Sequence, residues 1–173
     1  IIIIWDAARA DNFSNYGYFR PTTPNAGRFA QEGALFTNAF SESLTTRASI
    51  GTLFTGFPIP VTNLRKVTSN LPQNLTTLAQ LFKSKDFKTT GYTGVGNVGS
   101  FFNFHKGFDE YFELFKKKGF IRKSQQYIPY LFPWLEANTN KKYFLYVHFK
   151  EPHAIYIPRP PFRGMFSDKY EKK

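Results

Sequence analysis

Cysteine is absent from the 173 residues, which excludes disulfide frameworks, cysteine-ligated zinc and thiol catalysis. Long apolar runs are absent too. The opening Ile1–Ile4 run is far shorter than the roughly 18 consecutive apolar residues needed to cross a bilayer, so no membrane span is expected. Acidic residues are scarce, with 12 Asp and Glu against 23 Lys and Arg and a net charge of +11. That excess favours an anionic partner, whether a substrate, a membrane surface or a nucleic acid, without choosing among them. No complete nucleic-acid motif is present, and the Lys runs at Lys116–Lys118, Lys141–Lys142 and Lys172–Lys173 are scattered as on solvated faces, so no specific nucleic acid is expected. The glycines Gly94, Gly96 and Gly99 match neither the Rossmann nor the P-loop fingerprint.

Aromatic and aliphatic residues are plentiful. Hydrophobic residues make up 42% of the chain, with 21 Phe and 10 Tyr, enough for a folded domain with a core of large flat side chains. The chain opens without Met inside an apolar run and closes in the charged stretch Ser167–Lys173, as expected of a piece of a longer protein.

Ile1–Trp5 reads as a central strand of a parallel sheet, buried on both faces, with Asp6 at its C-terminal end. In open α/β sheets ligands bind at that edge. Asp6 could therefore hold a divalent cation, or be balanced by Arg9 in the string DAARAD. Thr23 and Pro24 predict the start of a helix over Asn25–Glu32, with Phe29 inward and Gly33 as its stop. Ala34–Phe40 reads as a short strand. In Thr45–Gly56, polar Thr, Arg and Ser precede Ile50, Leu53 and Phe54 at helical spacing, and Gly56 closes the segment. A hydroxyl at such a helix start can face an anionic ester, because the first N–H groups and the helix dipole both attract negative charge. It can equally be an N-cap.

Asn74 predicts a further helix with an apolar stripe of Leu75, Leu78, Leu81 and Phe82. Phe87–Val95 reads as a strand, Lys106–Phe112 as an aromatic packing loop, and Gln125–Asn138 as a helix interrupted by Pro129 and Pro133. Tyr143–Phe149 is a second strong strand. It is followed by Lys150, Glu151, Pro152 and His153, so His153 lies just past a strand end. His148, inside the strand, reads as structural.

Six strings, in order, resemble the sulfatase family of the alkaline phosphatase superfamily. WDAARADNFSNYGY is similar to the family's opening strand and DxxRxDxxxxYGY loop, and TTPNAGRFAQEGALFTNAF to its TPNLDRLAxEGxxFxNAY segment. TRASIGTLFTG falls where the family carries CxPSRAALLTG. LPQNLTTLAQLFKSKDFKTTGYTG is similar to the unit ending in GYxT, KGFDEYF to GFDxYF, and YFLYVHFKEPHAIYIP to FFLYxHxxxPHxPYxP. The resemblance implies an α/β fold of three layers, α/β/α, with a mostly parallel central sheet. Residues 1–173 would form the N-terminal part of a single sulfatase-like catalytic domain, incomplete at its C-terminus, with a sheet edge left uncovered.

The family's nucleophile is a formylglycine made from Cys or Ser, nine residues before the Thr of TG; counting back from Thr55 reaches Thr46. A second register, aligning Arg47 with the motif's Arg, places Ser43 there but needs three extra residues. Threonine cannot be oxidised to formylglycine, yet its alkoxide can attack phosphorus, as in relatives that transfer phosphoryl groups. The resemblance thus implies a metal-dependent hydrolase or transferase of sulfate or phosphate esters. Asp6 and Thr46 would hold a divalent cation (calcium, magnesium, manganese or zinc), with Thr46, Arg47 and His153 catalytic and Arg9 and Asp11 in supporting places. The family's second Asp, directly after the first, is replaced by Ala7, and its Lys-Trp-His string is missing near Asn97. Family association favours a periplasmic or extracellular setting. The alternative reading is a non-catalytic basic module that binds anionic polymers.

Overall fold

The structure, a computed structural model, describes residues 1–116, 124–154, 156, 158 and 160–166. The expected charged stretch at 167–173 and most of the 116–118 Lys run lie outside the described residues. The strands are β1 (Ile2–Trp5), β2 (Lys88–Thr93), β3 (Glu110–Glu113) and β4 (Tyr143–Phe149). The helices are α1 (Pro24–Gln31), α2 (Thr46–Thr55), α3 (Ile59–Thr62), α4 (Leu78–Lys83) and α5 (Ile128–Ala137). Two compact units divide the chain, one of Ile1–Asp6 with Phe40–Glu151, the other of Ala7–Ala39 with Pro152–Lys173.

The first unit contains one sheet in the order β1-β4-β2-β3, with every neighbouring pair parallel. Alternation along β4 sends its side chains to opposite faces. Phe144 and Tyr146 join Ala48, Ile50 and Phe54 of α2 and Ala79 of α4 in one buried cluster. Leu145 and Val147 join Tyr92, with Leu131, Trp134 and Leu135 of α5 packed against them on the other side. The expected parallel α/β arrangement, with helices on both faces, is therefore present. Each fully buried large apolar side chain of these clusters contributes about 1.5–3 kcal/mol. Aromatic rings supply much of the contact: Phe54 meets Tyr146 edge-on at 4.9 Å, and Phe82 stacks on Phe144 at 4.6 Å.

Several expectations are corrected. Among the described residues β1 is an edge strand rather than a central one, and its burial alternates. Ile2 and Ile4 pack on the α2 cluster, whereas Ile3 is 58% exposed. An all-apolar run cannot report which of its faces is covered. The helix expected from Asn74 begins instead at Leu78, because Thr77 forms a capping box with Gln80 and thereby satisfies backbone donors at the helix start. Leu81 of the expected apolar stripe is exposed. The end of the expected packing loop falls in β3 (Glu110–Glu113), paired with β2. Pro129 lies in the first turn of α5, where its missing N–H costs nothing, and only Pro133 is inside the helix.

In the second unit α1 starts at Pro24 as the sequence predicts. Thr23 does not cap it with its side chain. Its Oγ1 accepts from the Ser14 backbone N–H at 3.0 Å, while the Thr23 N–H donates to Ser14 Oγ at 3.3 Å, tying two loop segments together. Phe29, expected inward, is 79% exposed, and 34–40 is not a strand. Among the described residues no helix is long and apolar enough to cross a membrane.

Candidate active site at the C-terminal edge of the sheet

Asp6 follows β1 directly and is held in place by its own backbone N–H, which donates to Phe149 O at 3.1 Å. It is 7% exposed. Its carboxylate lies at the C-terminal edge of the parallel strands, where no further ladder bond is made and a ligand can reach the chain.

α2 delivers Thr46 to this carboxylate. Thr45 is the N-cap residue by backbone conformation, but its side chain makes no capping bond. Its hydroxyl instead contacts that of Ser43 at 3.0 Å. Thr46 is therefore the first helical residue and not the cap, and its Oγ1 donates to Asp6 Oδ1 at 3.2 Å. The local N-cap reading of Thr46 is set aside by this geometry. The body of the helix is anchored behind it. Ile50 and Phe54 are buried, Leu53 is partly exposed, and Gly51 lies so close to Leu64 that an added Cβ would stand 2.0 Å from its Cδ1. Gly56 ends the helix at φ 72°, as the sequence predicts for a left-handed cap.

The second oxygen of Asp6 is also engaged. Lys150 Nζ donates to Asp6 Oδ2 at 3.3 Å, with only 14% of the Lys side chain and 8% of the Asp side chain exposed. Arg9, one of the two partners considered for Asp6, pairs with Asp11 instead, on exposed surface of the second unit. Lys150 is thus a site residue that the sequence reading missed. The signal was available in the alternation of β4, since Tyr146, His148 and Lys150 share a face and Tyr146 faces α2.

His148 is fully buried, with Nδ1 2.7 Å from the Tyr146 hydroxyl and Nε2 without a hydrogen-bond partner among the described residues. Burial pushes its pKa down to about 4; the Asp6 carboxylate acts upward and the Lys150 ammonium downward. The ring is therefore neutral at pH 7. It was expected to be structural, and its packing agrees, but an orphaned ring nitrogen is unusual in a purely structural residue.

Arg47 is 5% exposed. Its Nε donates to Asn97 O at 3.0 Å and its Nη1 to Ser69 O at 3.2 Å, with the guanidinium carbon 3.4 Å from the centre of the Phe102 ring. These bonds fasten the start of α2 to the Gly96–Val98 turn, and burial lowers the Arg47 pKa. Ser43, the alternative nucleophile, is turned toward Thr45. His153 belongs to the second unit, where Nδ1 lies 3.0 Å from Ala154 O.

Asp6 Oδ1 and Thr46 Oγ1, 3.2 Å apart, are oxygen donors of the kind a hard divalent cation takes. They fit such an ion as part of a donor set. Among the described residues no group of three or more His, Cys, Asp or Glu side chains completes it.

The Sulfatase family model matches residues 1–173. The chain belongs to the sulfatase family. Solved structures place this sulfatase-family chain in the same fold. The zinc complex of the C-terminal periplasmic domain of EptC from Escherichia coli is 19% identical, with a TM-score of 0.72, and the match covers 96% of this chain and 47% of that one. Phosphonate monoester hydrolase of Agrobacterium radiobacter is 18% identical, with a TM-score of 0.73 and coverage of 96% and 43%. A protein in the alkaline phosphatase superfamily from Vibrio parahaemolyticus is 22% identical, with a TM-score of 0.68 and coverage of 99% and 44%. At these identities the likeness is one of fold, and the chain spans less than half the length of each. The comparison with curated protein sequences finds no match.

Proposed function

We propose that this sulfatase-family chain carries the nucleophile of a metal-dependent hydrolase or transferase that acts on sulfate or phosphate esters through a covalent intermediate on Thr46. The observation behind this reading is the Thr46 hydroxyl, on the first turn of α2, hydrogen-bonded to buried Asp6 at the sheet's C-terminal edge. Thr46 Oγ1 attacks phosphorus or sulfur in line, the bond to the leaving ester oxygen breaks, and the hydroxyl proton passes along the existing hydrogen bond to Asp6 Oδ1. His153, a residue of the second unit, is by the family resemblance alone the candidate to protonate the leaving oxygen or orient the transferred group. Water or an acceptor hydroxyl then attacks the intermediate and frees Thr46. A divalent cation held by Asp6 and Thr46 would lower the hydroxyl pKa and draw charge from the ester. The N–H groups of the first turn of α2 offset charge on the transferring group. Arg47 adds to this through its field, since its own hydrogen bonds go to Asn97 and Ser69.

Threonine in place of an oxidisable residue favours phosphate over sulfate esters. An anionic ester substrate agrees with the net charge of +11, and a periplasmic or extracellular setting follows by analogy with the EptC domain. In the longer protein containing this chain, Thr46→Ala should lower turnover of aryl phosphate and aryl sulfate esters by about a thousandfold or more while leaving the melting curve unchanged. Thr46→Ser should retain much of the activity. Full activity in Thr46→Ala refutes the assignment. Binding of an anionic polymer that weakens steeply with salt and survives Thr46→Ala would instead support the basic-module alternative.

A further inference from the structure

The Asp6 site carries its own cation. Its carboxylate accepts from Thr46 through Oδ1 and from the Lys150 ammonium through Oδ2, and the ion pair is largely buried. The position after Asp6 is Ala7, so among the described residues the carboxylate that ends β1 is balanced by one ammonium. A buried carboxylate without a counter-charge is strongly disfavoured, and Lys150 removes that cost without any metal.

We propose that Lys150 is a resident counter-ion that holds Asp6 in place and sets the affinity of the site for a divalent cation. The inference rests on the metal-dependent reading above and extends it to regulation of the same site. A divalent cation that takes Asp6 must either displace the ammonium from Oδ2 or lie within a few ångströms of it, and both weaken its binding through like-charge repulsion in a poorly hydrated place. The site then loads only when metal is plentiful, or when the anionic ester arrives and adds the negative charge that the site itself lacks.

The test is titration with Mn²⁺, followed by calorimetry and by the shift in melting temperature, on the longer protein and its variants. Lys150→Met should bind Mn²⁺ about tenfold more tightly or better than the parent, and should gain more thermal stability from the ion. Lys150→Arg, whose guanidinium can grip both carboxylate oxygens, should bind it severalfold more weakly. This second variant keeps the buried charge, and it serves if Lys150→Met does not fold. Equal Mn²⁺ affinity in the parent, Lys150→Met and Lys150→Arg overturns the proposal while leaving the metal site intact. Asp6→Asn separates the two readings. If it binds Mn²⁺ as the parent does, the ion lies elsewhere and the assignment of Asp6 as a metal ligand fails, with the Lys150 proposal that depends on it.

Discussion

Two aspartates of one sheet meet opposite fates. Asp109, just before β3 at the N-terminal edge, is closed off on both oxygens. Oδ2 accepts from the Thr89 backbone N–H at 2.9 Å and the Thr89 hydroxyl at 3.1 Å, and Oδ1 pairs with Lys83 Nζ at 2.7 Å. Those contacts, led by the Lys83 hydrogen bond, lower its pKa to about 2. Among the described residues the Asp6 carboxylate, at the C-terminal edge, is met by Thr46 and Lys150, at 3.2 and 3.3 Å. Asp109 is held by a backbone N–H and a hydroxyl of the neighbouring strand together with a lysine of α4, whereas both partners of Asp6 are side chains. The two carboxylates thus differ in the kind and distance of their partners.

The comparison is broken most decisively by changing the charge at each place. On the proposed role of Asp6 as base and ligand, Asp6→Asn should cut ester turnover by about a thousandfold, measured as kcat/KM in the longer protein. Asp109→Asn should leave turnover of the folded protein nearly unchanged but lower its stability by about 2 kcal/mol, read from urea unfolding. Equal activity losses in the two variants would erase the distinction. The pH dependence sharpens it. With its folded pKa below the ordinary 3.8, Asp109 contributes stability that is fully present above that value and is lost as pH falls through about 2. The parent should lose that increment in acid, and Asp109→Asn should show a flatter profile over the same window. The smallest effect concerns the other threonine at a helix start. Thr77 accepts from the Gln80 N–H and donates to Lys106 O, so Thr77→Ala should cost about 1–2 kcal/mol of stability with no change in the turnover of folded protein. A kinetic defect in that variant would mean that the two threonines are not as different as their partners imply.

Legibility from sequence followed the range of the interactions. The helix that ends at Gly56 was readable because spacing and a left-handed glycine cap are local features. So were the positions of β2 and β4, with their dense apolar and β-branched residues. Asp6 and Thr46 stand out one by one in the sequence, the first by its place after a strand and the second by its place along a family motif. Their contact spans 40 residues, and no local pattern contains it. Lys150 carries no mark of a site residue in the sequence, because a lysine at a strand end ordinarily points to water. It became a site residue only when the parallel pairing of β1 with β4 brought it beside Asp6. Arg47 was singled out for its charge, and packing gave that charge two carbonyls and an aromatic face.

The sequence by itself determined the class of fold, the family and the residues rich enough in chemistry to matter. These depend on composition, periodicity and the order of short strings, all of which are written along the chain. Tertiary structure decided which strand lies at the edge, which threonine caps and which faces a carboxylate, and which cation accompanies Asp6. Each of those depends on strand order and on partners up to 144 residues apart, and a buried charge takes whatever partner the fold brings within reach.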